Sequence, residues 1–308
     1  MNIENPFLIA LLVAVINKFG EMKKILCFGE VLWDILPNGS EKIGGAPLNV
    51  AYHLKKSGID AGIISRIGTD SYAEGLLQFL QRIHLPLDWV QRDEQYQTGK
   101  AIATLAGHHE MVYDIVFPAA WDFIAFGKEH QAILQTVDAF VYGSLSSRNE
   151  VSRQSLFQML AYSNYNVFDV NIRKPYVDME VMAYLLSKSH VLKVNEIETV
   201  LLGAHYGFGT VEKEIVLQLM NRFSIAEVIV TKGEKGGTYY SENKTLNYEA
   251  VPVKVKDTVG SGDSFLAGFL SERVKGATIE ECLDKAAKLS GLITSLEGGC
   301  PEYDENSC

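Results

Sequence analysis

Cysteine is scarce in this chain: there are four residues, Cys27, Cys282, Cys300 and Cys308, with no CxxC pair and no histidine at a zinc-like spacing from any of them. A disulfide framework and a zinc finger are thereby excluded, and the four read as reduced thiols of a cytosolic protein. The histidines are scattered; adjacent His108 and His109 cannot place both rings on one helix face and read as surface residues on a turn. Basic residues are outnumbered, 28 against 38 acidic, giving a formal net charge of −10. The basic footprint that a nucleic-acid backbone demands is missing, so no nucleic-acid partner is expected. Long apolar runs are missing too. Residues 7–16, FLIALLVAVI, span ten positions, about half of the roughly 20 a membrane helix needs. Glu4 before the run and Lys18 after it also do not fit a signal peptide. No membrane partner is expected, and residues 1–21 read as an extension outside the fold, with a membrane-associated tail as the alternative.

What is present is a globular composition, 47% apolar and 21% charged over 308 residues, which excludes disorder and collagen-like repeats. From Lys24 onward short β-rich apolar runs alternate with amphipathic stretches, the pattern of an α/β fold whose largely parallel sheet is flanked by helices. Strands are expected at 25–28, 61–65, 139–142, 167–170, 191–194 and 228–231. Helices are expected at 47–57, 71–82, 150–163, 179–187, 210–222, 262–275 and 278–295. Two stretches break the rhythm. TGKAIATL (98–105) and MVYDIVF (111–117) predict a hairpin, either a lid over a site or an ordinary edge hairpin. A second hairpin is expected over 238–250.

The most informative motif is DTVGSGDSFLAGFL, 257–270. Gly260, Ser261 and Gly262 lead into a helix, where consecutive backbone N–H groups and the positive end of the helix dipole can cradle an oxyanion or phosphate. Asp263 stands in the first helical turn, where the field of the helix end is expected to keep it ionised. It either caps the helix or takes a proton from a hydroxyl that attacks the phosphate. The GxxxxGK[ST] spacing and its lysine are absent, so this is not a P-loop. In GGAPLNVAYHL (44–54), Gly44 and Gly45 permit close backbone approach and Asn49 is either a polyol ligand or a cap. Asp34, read as the end of the first strand segment, is a sugar-hydroxyl acceptor or a turn residue. In FDVNIRKP, Asp169, Asn171 and Arg173 fall at every second position, so continued extended geometry would aim all three one way at a strand's carboxyl end. KVNEIETVLLG offers Asn195, Glu196 and Glu198, either holding the waters of a magnesium ion or starting a capped helix. TKGEKGG (231–237) supplies, at Thr231, Lys232 and Gly233, a turn whose backbone can approach a nucleotide.

In chain order these segments, with RIGTD between GGAPLN and DVNIR, resemble the ribokinase-like sugar kinases of the PfkB carbohydrate kinase family over residues 23–303, and within it the fructokinases most. The resemblance implies a ribokinase-like α/β domain over 22–308 with a small β-sheet lid formed from segments near 36–46 and 98–117. It implies transfer of the ATP γ-phosphoryl group to a hexose hydroxyl, fructose first, in the cytoplasm. Asp263 is then the base; Gly260, Ser261 and Gly262 form the anion hole; Arg173 stabilises charge. Asp34, Gly45 and Asn49 contact sugar, with Asp169 and Asn171 also expected to bind substrate, Asn195 and Glu198 form the magnesium motif, and Asp257 and Val259 belong to a monovalent-cation loop suited to potassium. The fructokinase pattern often carries Trp where this chain has Val177. Expected partners are a small-molecule sugar and, through the lid, a second copy of the chain. 2-Keto-3-deoxygluconate, ribose and nucleosides remain alternative substrates, and a non-catalytic sugar-binding regulator a remoter one.

Overall fold

The computed structural model of the protein describes residues 23–106 and 110–304. The expectations for residues 1–21, for the histidine pair at 108 and 109 and for Cys308 lie outside them.

In chain order the elements are β1 Lys24–Phe28, β2 Leu32–Ile35, β3 Glu41–Gly44, α1 Ala46–Lys56, β4 Asp60–Ile67, α2 Ser71–Arg82, β5 Val90–Arg92, β6 Gly99–Ala106, β7 Glu110–Ile115, α3 Lys128–Leu134, β8 Ala139–Gly143 and α4 Glu150–Met159. They continue with β9 Asn166–Asp169, α5 Met179–Lys188, β10 Val191–Asn195, α6 Glu196–Tyr206, α7 Glu212–Phe223, β11 Glu227–Thr231, β12 Gly237–Ser241, β13 Lys244–Tyr248, α8 Ser261–Arg273 and α9 Ile279–Thr294.

A nine-stranded sheet runs β13-β12-β11-β10-β9-β8-β1-β4-β5. Its pairs are parallel from β11 to β5, and the β12–β13 hairpin adds antiparallel at one edge. Alternate residues of β1 show why its sequence is continuously apolar: Ile25 and Cys27 join a core built with α1, α2, α8 and α9, whereas Leu26 and Phe28 join one built with α3, α4, α5, α6 and α7. Both faces are covered, so both side-chain sets are buried.

A separate four-stranded sheet, β3-β2-β6-β7, stands beside the large one. It corrects the placement of Asp34. The first strand stops at Phe28, the chain turns at Gly29 (φ 140°), and Asp34 sits on β2 of the small sheet. The small sheet therefore starts at Leu32 rather than near 36, and its other strands are Glu41–Gly44 and the 99–115 hairpin.

Helix α6 was not among the expected helices. A reciprocal capping box makes it: Asn195 Oδ1 accepts from the Glu198 N–H (2.8 Å) and Glu198 Oε2 from the Asn195 N–H (2.9 Å). Short α3 and β5 also escaped, having too few residues to display a period.

Candidate active site

A cavity of about 600 Å³ opens at the carboxyl ends of the central strands, between the small sheet and the N-termini of α1 and α8. This is where an open parallel sheet gathers its loops and helix starts. Gly260 forms the N-cap of α8 at φ 77°, and a Cβ there would lie 2.7 Å from the Gly299 Cα, so both conformation and space demand glycine. Gly260 and Gly262 line the cavity. Ser261 does not line it, and its N–H donates to the Thr258 carbonyl (3.3 Å). Its Oγ lies 3.0 Å from Ser290 Oγ and accepts from Thr294 Oγ1 (3.1 Å) on α9.

Asp263 is not a cap. No side chain caps α8, and Asp263 Oδ2 instead accepts from Asn49 Nδ2 at 2.8 Å. At pH 7 the expected ionisation holds, though less firmly than the helix end alone implies. Burial pushes its carboxyl up to about 6, with the Asp169 charge adding to the rise and Lys193, Asn49 and Arg173 opposing it. Desolvation and a neighbouring carboxylate set the direction of the shift. A group of this kind is mostly ionised at pH 7 and basic enough to accept a proton.

Asn49 reaches this point because Gly45, at φ 111°, starts α1 and Pro47 occupies its first turn. The amide is buried and engaged at both ends: Nδ2 holds Asp263, and Oδ1 accepts from Cys300 Sγ (3.2 Å). Asp34 looks into the same cavity from β2. Burial raises its carboxyl to about 6; Arg173 and Lys42 oppose the rise, while Asp257 and Asp263 reinforce it.

The extended run after β9 does not persist, because Asn171 adopts φ 39°. Asp169, Asn171 and Arg173 nevertheless all line the cavity. Asp169 is spoken for: both its oxygens accept from Lys193 Nζ, at 2.9 and 2.8 Å, in a buried pair. Its charge raises the carboxyl of Asp263. The Arg173 charge is felt at Glu30, Asp34 and Asp263.

Asn195 and Glu198 fulfil the capped-helix alternative, and Glu198 Oε1 also accepts from the Ile172 N–H (2.8 Å). Both residues still line the cavity, and each carboxylate oxygen retains a second lone pair. Among the described residues no three His, Cys, Asp or Glu side chains group closely enough to hold a metal ion by themselves. Carboxylate and amide oxygens at this position are of the kind that hold a magnesium ion's waters.

A second cavity, about 890 Å³, adjoins the first and shares Thr231, Thr258 and Gly262 with it. Gly233 and the apolar Val251, Val255 and Phe265 line it. Lys232 does not. Its Nζ pairs with Glu212 (2.7 Å) and donates to Thr238 (2.9 Å), which ties the side chain down beside α7 and β12. Asp257 joins two loops: Oδ1 accepts from the Val259 N–H (3.0 Å) and Oδ2 from the Gly298 N–H (2.9 Å). Val259 lines the first cavity.

Among the buried charged residues of the cavity, Lys193 and Glu30 were given no role at the sequence level. A lysine inside the apolar strand VLKVN and an acid just after the first strand were the available signals, since a buried charge needs a reason.

The sequence profile of the pfkB family carbohydrate kinases matches residues 16–305. The chain is 26% identical over 302 residues to the probable fructokinase-7 of Arabidopsis thaliana, covering 89% of this chain and 88% of that protein. In fold it is similar to a fructokinase with bound ATP from Xylella fastidiosa (TM-score 0.81, 22% identity, 91% and 94% of the two chains). It is also similar to a Vibrio cholerae fructokinase in fructose, ADP and calcium ion bound form (TM-score 0.77, 23% identity, 91% and 95%).

Proposed function

The chain belongs to the pfkB family of carbohydrate kinases, and from that premise we propose that it transfers the γ-phosphoryl group of ATP to a hydroxyl of free fructose. The observation that carries the reading is Asp263: a half-buried carboxyl, raised to about 6, beside the glycine-rich start of α8 where the two cavities adjoin. The sugar occupies the first cavity, with Asp34 and Asn49 at its hydroxyls. The nucleotide occupies the second, its base against Val251, Val255 and Phe265 and its phosphates toward Gly262. Asp263 takes the proton of the attacking hydroxyl. The N–H groups at the start of α8 receive the phosphoryl oxygens, and Arg173 adds a positive charge. Phosphoryl transfer depends mainly on positioning and charge stabilisation, and these groups supply both.

Magnesium, when bound with the nucleotide, neutralises phosphate charge; Asn195 and Glu198 are the residues that would hold its waters. Potassium suits the loop of Asp257 and Val259. Fructose is preferred over 2-keto-3-deoxygluconate, ribose and nucleosides because the relatives above bear fructokinase names and the chain's GGAPLN and DVNIR segments resemble that group. The small sheet, which includes the 99–115 hairpin, acts as the lid and is the surface through which two copies would pair. Among the described residues no helix is long and apolar enough to cross a membrane; a cytoplasmic site of action is part of the proposal.

A coupled ADP-release assay across fructose, ribose, 2-keto-3-deoxygluconate and nucleosides tests the reading. Fructose is expected to give the highest kcat/KM. A tenfold win for another acceptor overturns the fructose assignment, and no ADP release with any acceptor overturns the kinase assignment.

A further inference from the structure

Glu30 is a buried carboxyl of the first cavity that the reaction above leaves unused. It follows β1 after one intervening residue, Gly29, is 3% exposed, and lines the cavity. Neighbouring acids have partners: Asp169 has Lys193, Asp263 has Asn49, and Glu198 has two backbone amides. Glu30 Oε2 has no hydrogen-bond partner among the described residues. Its place is tightly determined. Gly45 passes so close that a Cβ there would strike the Glu30 carbonyl oxygen, and Gly45 also heads the helix that delivers Asn49. Four residues further along the chain lies Asp34 on the small sheet.

Holding such a group is costly. Burial pushes its carboxyl up to about 7, with its own backbone N–H, Arg173 and Arg148 opposing the rise and Asp263 adding to it. An apolar side chain of the same length would fill the space without that penalty. The penalty is recovered only if a donor arrives with a ligand.

We infer that Glu30 is a substrate-binding residue whose carboxyl accepts a hydrogen bond from a hydroxyl of the acceptor sugar, and that with Asp34 it selects neutral polyhydroxyl substrates against sugar acids. The inference rests on the sugar-kinase reading of this cavity. Rotation about the last side-chain bond of Glu is soft, so either oxygen can be presented. A hydroxyl satisfies the group. A carboxylate on the substrate would instead bring a further negative charge to Glu30 and Asp34, with Arg173 as the counter-charge.

The test uses the full chain and the best acceptor found for the wild type, so a wrong sugar identity is detected separately from a wrong role for Glu30. In Glu30→Leu the sugar KM is expected to rise at least 30-fold, with the nucleotide KM within twofold. In Glu30→Gln, which keeps a neutral acceptor, a rise of three- to tenfold is expected, with the preference for a neutral sugar over 2-keto-3-deoxygluconate reduced. A sugar KM within twofold of wild type in either variant overturns the inference. So does an equal rise in both KM values, which would mean general distortion. A sugar acid as the best wild-type substrate overturns it as well. Should the leucine variant fail to fold, the glutamine variant decides alone by the same limits.

Discussion

Replacing Asp263 with Asn separates chemistry from stability, because the two should move in opposite directions. The amide keeps the shape and can still accept from Asn49 Nδ2, which donates to this position at 2.8 Å, but it takes no proton at neutral pH. Loss of a general base slows turnover roughly 10²- to 10⁴-fold, about 3 to 5 kcal/mol of barrier. Stability follows from linkage. The carboxyl rises from an ordinary 3.8 to about 6 in the fold, so between those values the native state holds a proton that the unfolded chain has lost. Stability contributed by this group is therefore full below about pH 4, falls as pH rises toward 6 and stays reduced above. A shift of about two units at 1.36 kcal/mol each corresponds to roughly 1–3 kcal/mol of strain, allowing for neighbouring charges. Asp263→Asn should remove that strain and raise Tm by roughly 2–6 °C at pH 7.5, with no gain at pH 4. Steady-state kinetics, nucleotide titration and thermal melts on the same preparations provide the readouts. A near-normal kcat refutes the base; a lower Tm at pH 7.5 refutes the account of its burial.

Asp34→Ala should raise the sugar KM, because a charged hydrogen bond is worth about 1.5–3 kcal/mol, or roughly 10- to 150-fold; an unchanged KM would remove Asp34 from the sugar site. Lys193→Met leaves Asp169 buried without its partner, so thermal or urea unfolding should register a loss of about 3–5 kcal/mol, and wild-type stability would show that the pair contributes little. The wild-type kcat/KM profile should fall on its acid side near pH 6, where Asp263 and Asp34 lose their charges together; a flat profile down to pH 4.5 would contradict both assignments. A chain beginning at Met22 should retain full activity and solubility, and loss of either would show that residues 1–21 serve the fold.

The layered fold was legible because each central strand is buried on both faces, and such strands write themselves as unbroken apolar runs whatever their partners. The start of α8 was legible for a related reason: a left-handed N-cap packed against Gly299 admits only glycine, so geometry is printed directly in the residue type. Pairing is a different matter. Asp169 looked like an open acceptor until Lys193 arrived from the adjacent strand, 24 residues later in the chain. Asp263 looked like an ordinary helix-start acid until Asn49, 214 residues away, closed on it. Local spacing carries no information about such contacts. It also carries none about desolvation, and desolvation sets the direction of every carboxyl shift that matters in this cavity. The placement of Asp34 failed similarly, since nothing in GEVLWDILP says that the chain leaves one sheet for another after Phe28. The signals that were available but unread were of one kind, a charge where the pattern called for an apolar residue. Lys193 within VLKVN is the example, and its partner Asp169 shows what the pattern was concealing: two buried charges that balance each other and leave a third, Asp263, raised toward the pH at which it can work.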